Sequence, residues 1–199
     1  LNGLPGHPDL HTPHIVTNTG SLGMGISKAK GMVRVHRLQG LNRKIFVLLG
    51  DGELQEGQIW ESLLPATHAK MGEITAIVDH NKLQSDTFVS EVSDLGDLKL
   101  RFESHGWEVM RCDGHNMADI SESFKKLNLI TDRPKVLIAD TIKAKGAEKM
   151  ESIHFSKDER LYKFHSGAPK NEVYSEAIVF LIDTINNRLT ASGETQLEV

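Results

Sequence analysis

Four short apolar runs, at residues 44–50, 74–79, 107–112 and 135–140, constrain the fold of this chain more than any other feature. Each is nearly continuous, as in Ile45-Phe46-Val47-Leu48-Leu49, and each reads as a strand buried on both faces. Between them, residues 54–70, 97–105 and 117–130 carry apolar side chains at helical spacing, for example Ile120, Phe124 and Leu127. An earlier helix is predicted over 22–38, with Leu22, Ile26, Ala29 and Val33 on its inner face. Buried strands separated by helices predict an open parallel sheet with helices on both faces, an α/β fold. The 199 residues suffice for one such domain with its own core.

Beyond residue 143 the pattern lapses. Residues 143–170 are polar and aperiodic, and read as a long loop with one short helical turn, of the kind that covers an active site. A last amphipathic helix is predicted over 171–189, with Val173, Ala177, Phe180, Leu181 and Ile185 inward. The chain therefore divides into a single domain, 1–190, and a tail, 191–199. Residue 1 is Leu, so the chain is either processed or part of a longer polypeptide whose N-terminal portion lies upstream.

Composition narrows the function classes. Hydrophobic residues make up 39% and charged residues 25%, the balance of a water-soluble globular protein. A net charge of −4 without a basic stripe argues against nucleic acid as the main partner. The apolar runs are too short to span a bilayer, so no membrane role is expected. The one cysteine, Cys112, excludes an internal disulfide framework and a thiolate zinc site, reads as a small core residue, and fits a cytoplasmic protein.

In an open α/β sheet, ligands sit beyond the carboxyl ends of the strands. Three polar clusters fall there: Gly50-Asp51-Gly52-Glu53, the run from Asp79 through His80, Asn81, Lys82 and Leu83 to Gln84, and Asp113-Gly114-His115-Asn116. The amides after Asp51 are expected to open a helix, an anion site. Asp51 and Asn81 lie 30 residues apart, one strand–helix–strand crossover, so adjacent parallel strands bring them together. A carboxylate, an amide oxygen and a main-chain carbonyl suit Mg²⁺ or Ca²⁺, and diphosphate oxygens are the natural remaining ligands. The composite reads as a metal–diphosphate clamp; the plainer reading is that Asp51 and Asn81 only cap a helix and a turn.

The motifs resemble those of the thiamine-diphosphate-binding domain of transketolases. The Gly50-Asp51-Gly52 to Asn81 spacing matches the cofactor motif of the wider superfamily. Four further matches narrow it: Gly6-His7-Pro8-Asp9; Thr19-Gly20-Ser21-Leu22-Gly23-Met24-Gly25; Glu53-Leu54-Gln55-Glu56-Gly57 with Trp60-Glu61; and Phe102 with Gly106-Trp107-Glu108-Val109 and Asp113-Gly114-His115. The resemblance implies that Asp51, Asn81 and the Leu83 carbonyl hold the divalent ion, and that Gly52 and Glu53 offer backbone contacts to the diphosphate. It implies that Gly20, Ser21 and Leu22 line the cofactor, with Leu22 near the ring system. Glu56 and Glu61 match carboxylates at a dimer interface that link two active sites. His7 matches a substrate-facing histidine, and His165, in Phe164-His165-Ser166-Gly167-Ala168-Pro169, fits a late histidine that touches diphosphate and sugar.

The implied activity is transfer of a two-carbon ketol unit from a ketose, or its phosphate, to an aldose. Met24, Asp9 and Ala144 stand where the family more often has Gln, Glu and Gly, which bears on substrate choice more than on the cofactor. Two upstream histidine motifs and the pyrimidine-binding domain, with its activating glutamate, are not in this sequence. The resemblance therefore implies a partner chain or further sequence supplying that domain, and a homodimer of such pairs, a heterotetramer. The end of the chain looks like that of separately encoded N-terminal transketolase subunits. Two alternatives stand beside this reading: a subunit of another thiamine-diphosphate lyase, decarboxylase or synthase, and a non-catalytic assembly subunit.

Overall fold

The computed structural model describes residues 7–155 and 161–197. Gly6 of the first motif, residues 156–160 of the long loop and the last two residues of the tail lie outside them. Four parallel strands form one sheet: β1 (Ile45–Gly50), β2 (Ile74–His80), β5 (Glu108–Asp113) and β6 (Lys135–Asp140), in the order β1-β2-β6-β5. A small antiparallel hairpin, β3 (Leu83–Gln84) with β4 (Thr87–Phe88), follows β2. The helices are α1 (Gly25–Leu38), α2 (Gly57–His68), α3 (Val89–Ser93), α4 (Leu98–Ser104), α5 (Met117–Leu127) and α6 (Asn171–Ser192). Short 3₁₀ turns cover Gly52–Gln55, Glu148–Met150 and Ser152–His154.

The expected α/β architecture is present, and both sheet faces are covered. Val47, Leu49, Ala76, Val78, Val136 and Ile138 share one face with Ile26, Ala29 and Val33 of α1, Ile59, Leu63 and Ala66 of α2, and Leu98 and Phe102 of α4. On the other face α5 packs with Phe124 edge-on to Phe46, ring centroids 5.9 Å apart. Asp97 and Asn116 cap α4 and α5 through their side chains, each accepting from two backbone amides. At the amino-terminal edge of the sheet Lys135 is only 3% exposed. Its ammonium donates to the Ile130 carbonyl at 2.9 Å and to that of Gly72, which satisfies the charge but leaves its pKa lowered by burial.

Four packing expectations fail. β1 and β5 are the two edge strands among the described residues: Phe46 and Leu48 of β1 are 53% and 72% exposed and no residue of β5 is fully buried, so neither strand is buried on both faces. Leu22 is 59% exposed because α1 begins three residues later, at Gly25. No residue of α6 is buried: the helix rests on the turn at Glu148–Met150 rather than on the sheet, so Val173, Ala177, Phe180, Leu181 and Ile185 enter no core. Cys112 is half-buried, its thiol pushed up by burial, which describes neither a fully interior residue nor an activated nucleophile.

Phe102 is fully buried between Trp60 and Trp107, with centroids 5.3 and 6.0 Å away. Phe102→Ala is expected to cost about 3–5 kcal/mol, read as a lower urea midpoint at unchanged denaturant slope.

Candidate functional site

Because all four strands are parallel, their carboxyl ends share one edge. Gly50 pairs with Asp79, which puts Asp51 and Asn81 one and two residues beyond the paired end of adjacent strands. The backbone continues that pairing, with the Asp51 amide donating to the Asp79 carbonyl at 3.2 Å. Asp51 is 2% exposed. Its carboxylate accepts from the Gly52 amide at 2.8 Å and from the Lys82 amide. Burial pushes the carboxyl above the usual range, against the downward pull of those two amides. Asn81 accepts from the Leu83 amide at 3.0 Å, fixing the turn into β3, and Lys82 takes a left-handed conformation, φ 69°.

The segment after Asp51 is a four-residue 3₁₀ turn, not the start of a helix; α2 begins only at Gly57, so the helical anion site expected there is not formed. What organises this stretch is the Glu53 side chain, a role that no motif signalled. One carboxylate oxygen accepts from the Gly23 amide at 2.8 Å and the other from the Gly50 amide at 3.2 Å. Glu53 thus ties the glycine-rich segment to the strand end. Gly23 sits at φ 80°, and a Cβ there would come within 2.8 Å of the Glu56 Cβ, so only glycine allows this approach.

Gly20, Ser21 and Leu22 are exposed on the same segment, and the His7 ring lies against Gly20, its Cδ2 3.8 Å from where a Cβ would stand. Thr19 fixes that approach by donating from its hydroxyl to the Pro8 carbonyl at 2.5 Å. Glu56 and Glu61 are both exposed, Glu56 at the N-cap of α2 and Glu61 one turn on. His165 is exposed too, and lines a cavity of about 400 Å³ with Ser85 and Asp86 of the turn joining β3 to β4. The Tyr162 amide donates to the Asp86 carbonyl at 2.6 Å, which docks the His165 segment onto the turn joining β3 to β4. Stacking of Phe88 on Phe155, 5.0 Å apart, continues that contact.

Two further features went unassigned in the sequence. His80, Arg111 and Asp140 meet on the ends of three strands: His80 Nδ1 lies 2.7 Å from Asp140, and Arg111 reaches both Asp140 oxygens at 2.6 and 2.7 Å. A cavity of about 210 Å³ lies between Asp51, His80 and Lys82 and a roof from α3 to the start of α4. Gln55 holds the roof through the Ser93 carbonyl at 2.9 Å, and Arg101 holds it through the Leu95 carbonyl at 3.0 Å while lying over the Trp60 ring.

The donor set fits a hard divalent ion held with a diphosphate. Asp51 supplies a buried carboxylate, and the turn locked to it carries an amide and main-chain oxygens. Among the described residues no group of three or more His, Cys, Asp or Glu is arranged to hold an ion by itself. A Cβ on Gly52 would approach the Gln84 Cβ to 2.4 Å, so this position tolerates only a bare backbone.

Removing the Glu53 carboxylate (Glu53→Ala) is expected to cost about 1.5–3 kcal/mol, the value of hydrogen bonds to a charged acceptor. Hydrogen exchange at the Gly23 amide should then rise about tenfold or more; unchanged exchange would show that the tether holds nothing. Arg111 and His80 lower the Asp140 pKa to about 2. With the folded value below the unfolded one of about 3.9, this contact stabilises fully above that pH and is lost as pH falls towards 2. The destabilisation caused by Arg111→Ala, followed by urea midpoints, should therefore shrink between about pH 5 and 2.

A family model described as transketolase, thiamine diphosphate binding domain, matches residues 2–161. One of the subunits of apulose-4-phosphate transketolase from Phocaeicola vulgatus is 36% identical over 175 residues, covering 88% of this chain and 59% of that protein. The 6-deoxy-6-sulfo-D-fructose transketolase subunit SqwG of a Clostridium species is 34% identical, covering 80% of this chain and 60% of its own. The chain thus spans less than two thirds of the length of these relatives. Among solved structures, transketolase from Campylobacter jejuni superposes with a TM-score of 0.73 at 31% identity, covering 87% of this chain and 27% of that one. Among the described residues no helix is long and apolar enough to cross a membrane. The strand-end site and these likenesses agree: the chain belongs to the transketolase family, through its thiamine-diphosphate-binding domain.

Proposed function

We propose that this chain is the metal- and diphosphate-binding half of a cytoplasmic transketolase-like enzyme. Its reaction is transfer of a two-carbon ketol unit from a ketose or ketose phosphate to an aldose or aldose phosphate. The observation that carries the reading is the buried Asp51 carboxylate at the end of β1, locked to the turn of Asn81 on the neighbouring strand. Asp51, Asn81 and the Leu83 carbonyl would hold Mg²⁺ or Ca²⁺, and the Gly52 and Glu53 backbone would face the diphosphate. When bound, thiamine diphosphate would supply the nucleophilic carbon that carries the two-carbon unit from the ketose, whose remainder leaves as an aldose, to the acceptor aldose.

The chain's own groups bind and orient. Gly20, Ser21 and Leu22 would line the cofactor, held in place by the Glu53 tether. His7, resting on Gly20, would face the substrate, and His165, beside the turn joining β3 to β4, would touch the cofactor diphosphate and the sugar. Relatives that are themselves named as single subunits of a transketolase support a partner chain, which would carry the pyrimidine-binding domain and its activating glutamate. Glu56 and Glu61, both exposed at the start of α2, would meet their copies across a dimer of such pairs, a heterotetramer.

One observation favours a second reading, a protein without turnover. The Asp51 and Asn81 side chains already satisfy backbone amides, which is what caps do. Calorimetric titration of thiamine diphosphate with Mg²⁺ separates the two, using this chain alone and with a pyrimidine-domain chain encoded beside its gene. Binding that vanishes with EDTA is expected. Asp51→Ala should lower affinity by more than the roughly 10–100-fold typical of losing an outer-shell partner. No binding by the folded pair, or unchanged affinity in Asp51→Ala, would sink the clamp.

A further inference from the structure

The β3–β4 hairpin lays Gln84 directly over Gly52, with the Gln84 Cα 3.2 Å and its Oε1 3.5 Å from where a Gly52 Cβ would stand. That oxygen is buried and has no hydrogen-bond partner among the described residues. The donors around it are already committed: the Gly52 amide to one oxygen of Asp51, the Lys82 amide to the other, and the Leu83 amide to Asn81. An acceptor withdrawn from water with no donor is costly, and native proteins keep few of them without a reason. Of the two such side-chain atoms among the described residues, the other, on His36, lies on α1. Gln84 Oε1 instead lies over Gly52, the residue that follows Asp51 in the chain.

What would satisfy it must arrive with a ligand. A diphosphate offers only acceptor oxygens, which an amide oxygen repels. A divalent cation and the waters it binds are what a carbonyl oxygen takes. We infer that Gln84 is a further residue of the metal site, its side-chain oxygen serving the coordination sphere of the divalent ion beside Asp51, Asn81 and the Leu83 carbonyl. The inference rests on the metal–diphosphate reading of this site. It also accounts for the chemical type of the residue. A neutral oxygen adds a ligand without adding a second carboxylate against the diphosphate, and Asp51 remains the one charged protein group on the ion.

The hairpin explains how the side chain gets there. Its two strands are only two residues each, and the register pairs Gln84 with Thr87. Leu83 is buried, which directs the next side chain, Gln84, to the opposite side, onto the bare backbone of Gly52. Any larger residue at position 52 would push the amide away, so Gly52 and Gln84 act as a pair.

The test is titration of Mn²⁺ at saturating thiamine diphosphate, with free Mn²⁺ read by electron paramagnetic resonance. It is run under whichever condition, chain alone or with its partner, gives wild-type binding. Gln84→Leu keeps the bulk over Gly52 and removes the oxygen; it should weaken Mn²⁺ binding about tenfold or more while leaving the urea midpoint equal or higher. Gln84→Glu, which restores an oxygen at the cost of a second carboxylate near the diphosphate, should bind Mn²⁺ clearly more tightly than Gln84→Leu. Wild-type affinity in Gln84→Leu would overturn the assignment. So would equal weakening in Gln84→Glu and Gln84→Leu, since the amide would then be facing the diphosphate through its NH₂ group. Absence of Mn²⁺ binding by the folded wild-type chain under both conditions would overturn the whole site reading along with it, before any variant is made.

Discussion

The register of two neighbouring strands decides most of what this chain can do. Gly50 opposite Asp79 is one pairing among six between β1 and β2, yet it is the one that sets Asp51 against the Asn81 turn. A slip of one residue would turn every core side chain of β1 to the wrong face and carry Asp51 out of reach of the Lys82 amide. The apolar alternation of Ile45, Val47 and Leu49 into the core therefore does more than stabilise a sheet. It is the gauge that spaces the two halves of the site, so packing at the middle of the strands and chemistry at their ends are one constraint.

Around that gauge the site is assembled from short irregular pieces, each fastened by a single polar group. Glu53 fixes the glycine-rich segment, Gln55 and Arg101 fix the roof over the smaller cavity, and the Tyr162 amide fixes the late loop to the hairpin. None of these ties is part of a helix or sheet ladder. The arrangement is rigid where strands end and tied at points elsewhere, a division common in sites that must admit a ligand and then hold it.

How much of this could be read from the sequence follows the same division. The four strands, five of the helices and the crossover distance from Asp51 to Asn81 were readable because periodicity and length report them. The exposed side of β1 was not, since a continuous apolar run looks the same at the edge of a sheet as in its centre. Nor was the isolation of α6, whose apolar residues show what the helix is able to bury and not whether anything is there to bury it. The hairpin at Leu83–Phe88 is too short to carry a period, and so Gln84 passed as one more polar residue after Asn81. The Glu53 tether was hidden for a different reason: its partners are backbone amides, which have no letter in a sequence. The place of His7 depends on its non-local contact to Gly20 and that of the His165 segment on the Tyr162 amide's bond to Asp86, and motif matching supplied their names without their neighbours.

The edge position of β1 has a consequence outside the active site. A strand at the border of a sheet leaves a row of backbone donors and acceptors unpaired on one side; among the described residues nothing pairs with that side of β1, and Leu48 stands beside it in water with Phe46 only partly covered by Phe124. No proline and no charged side chain falls within Ile45–Gly50 to discourage another strand from adding itself. Handled on its own at high concentration, this chain carries its own template for unwanted sheet extension. Colloidal behaviour, more than thermal stability, then sets the ceiling on how concentrated a sample of it stays monodisperse.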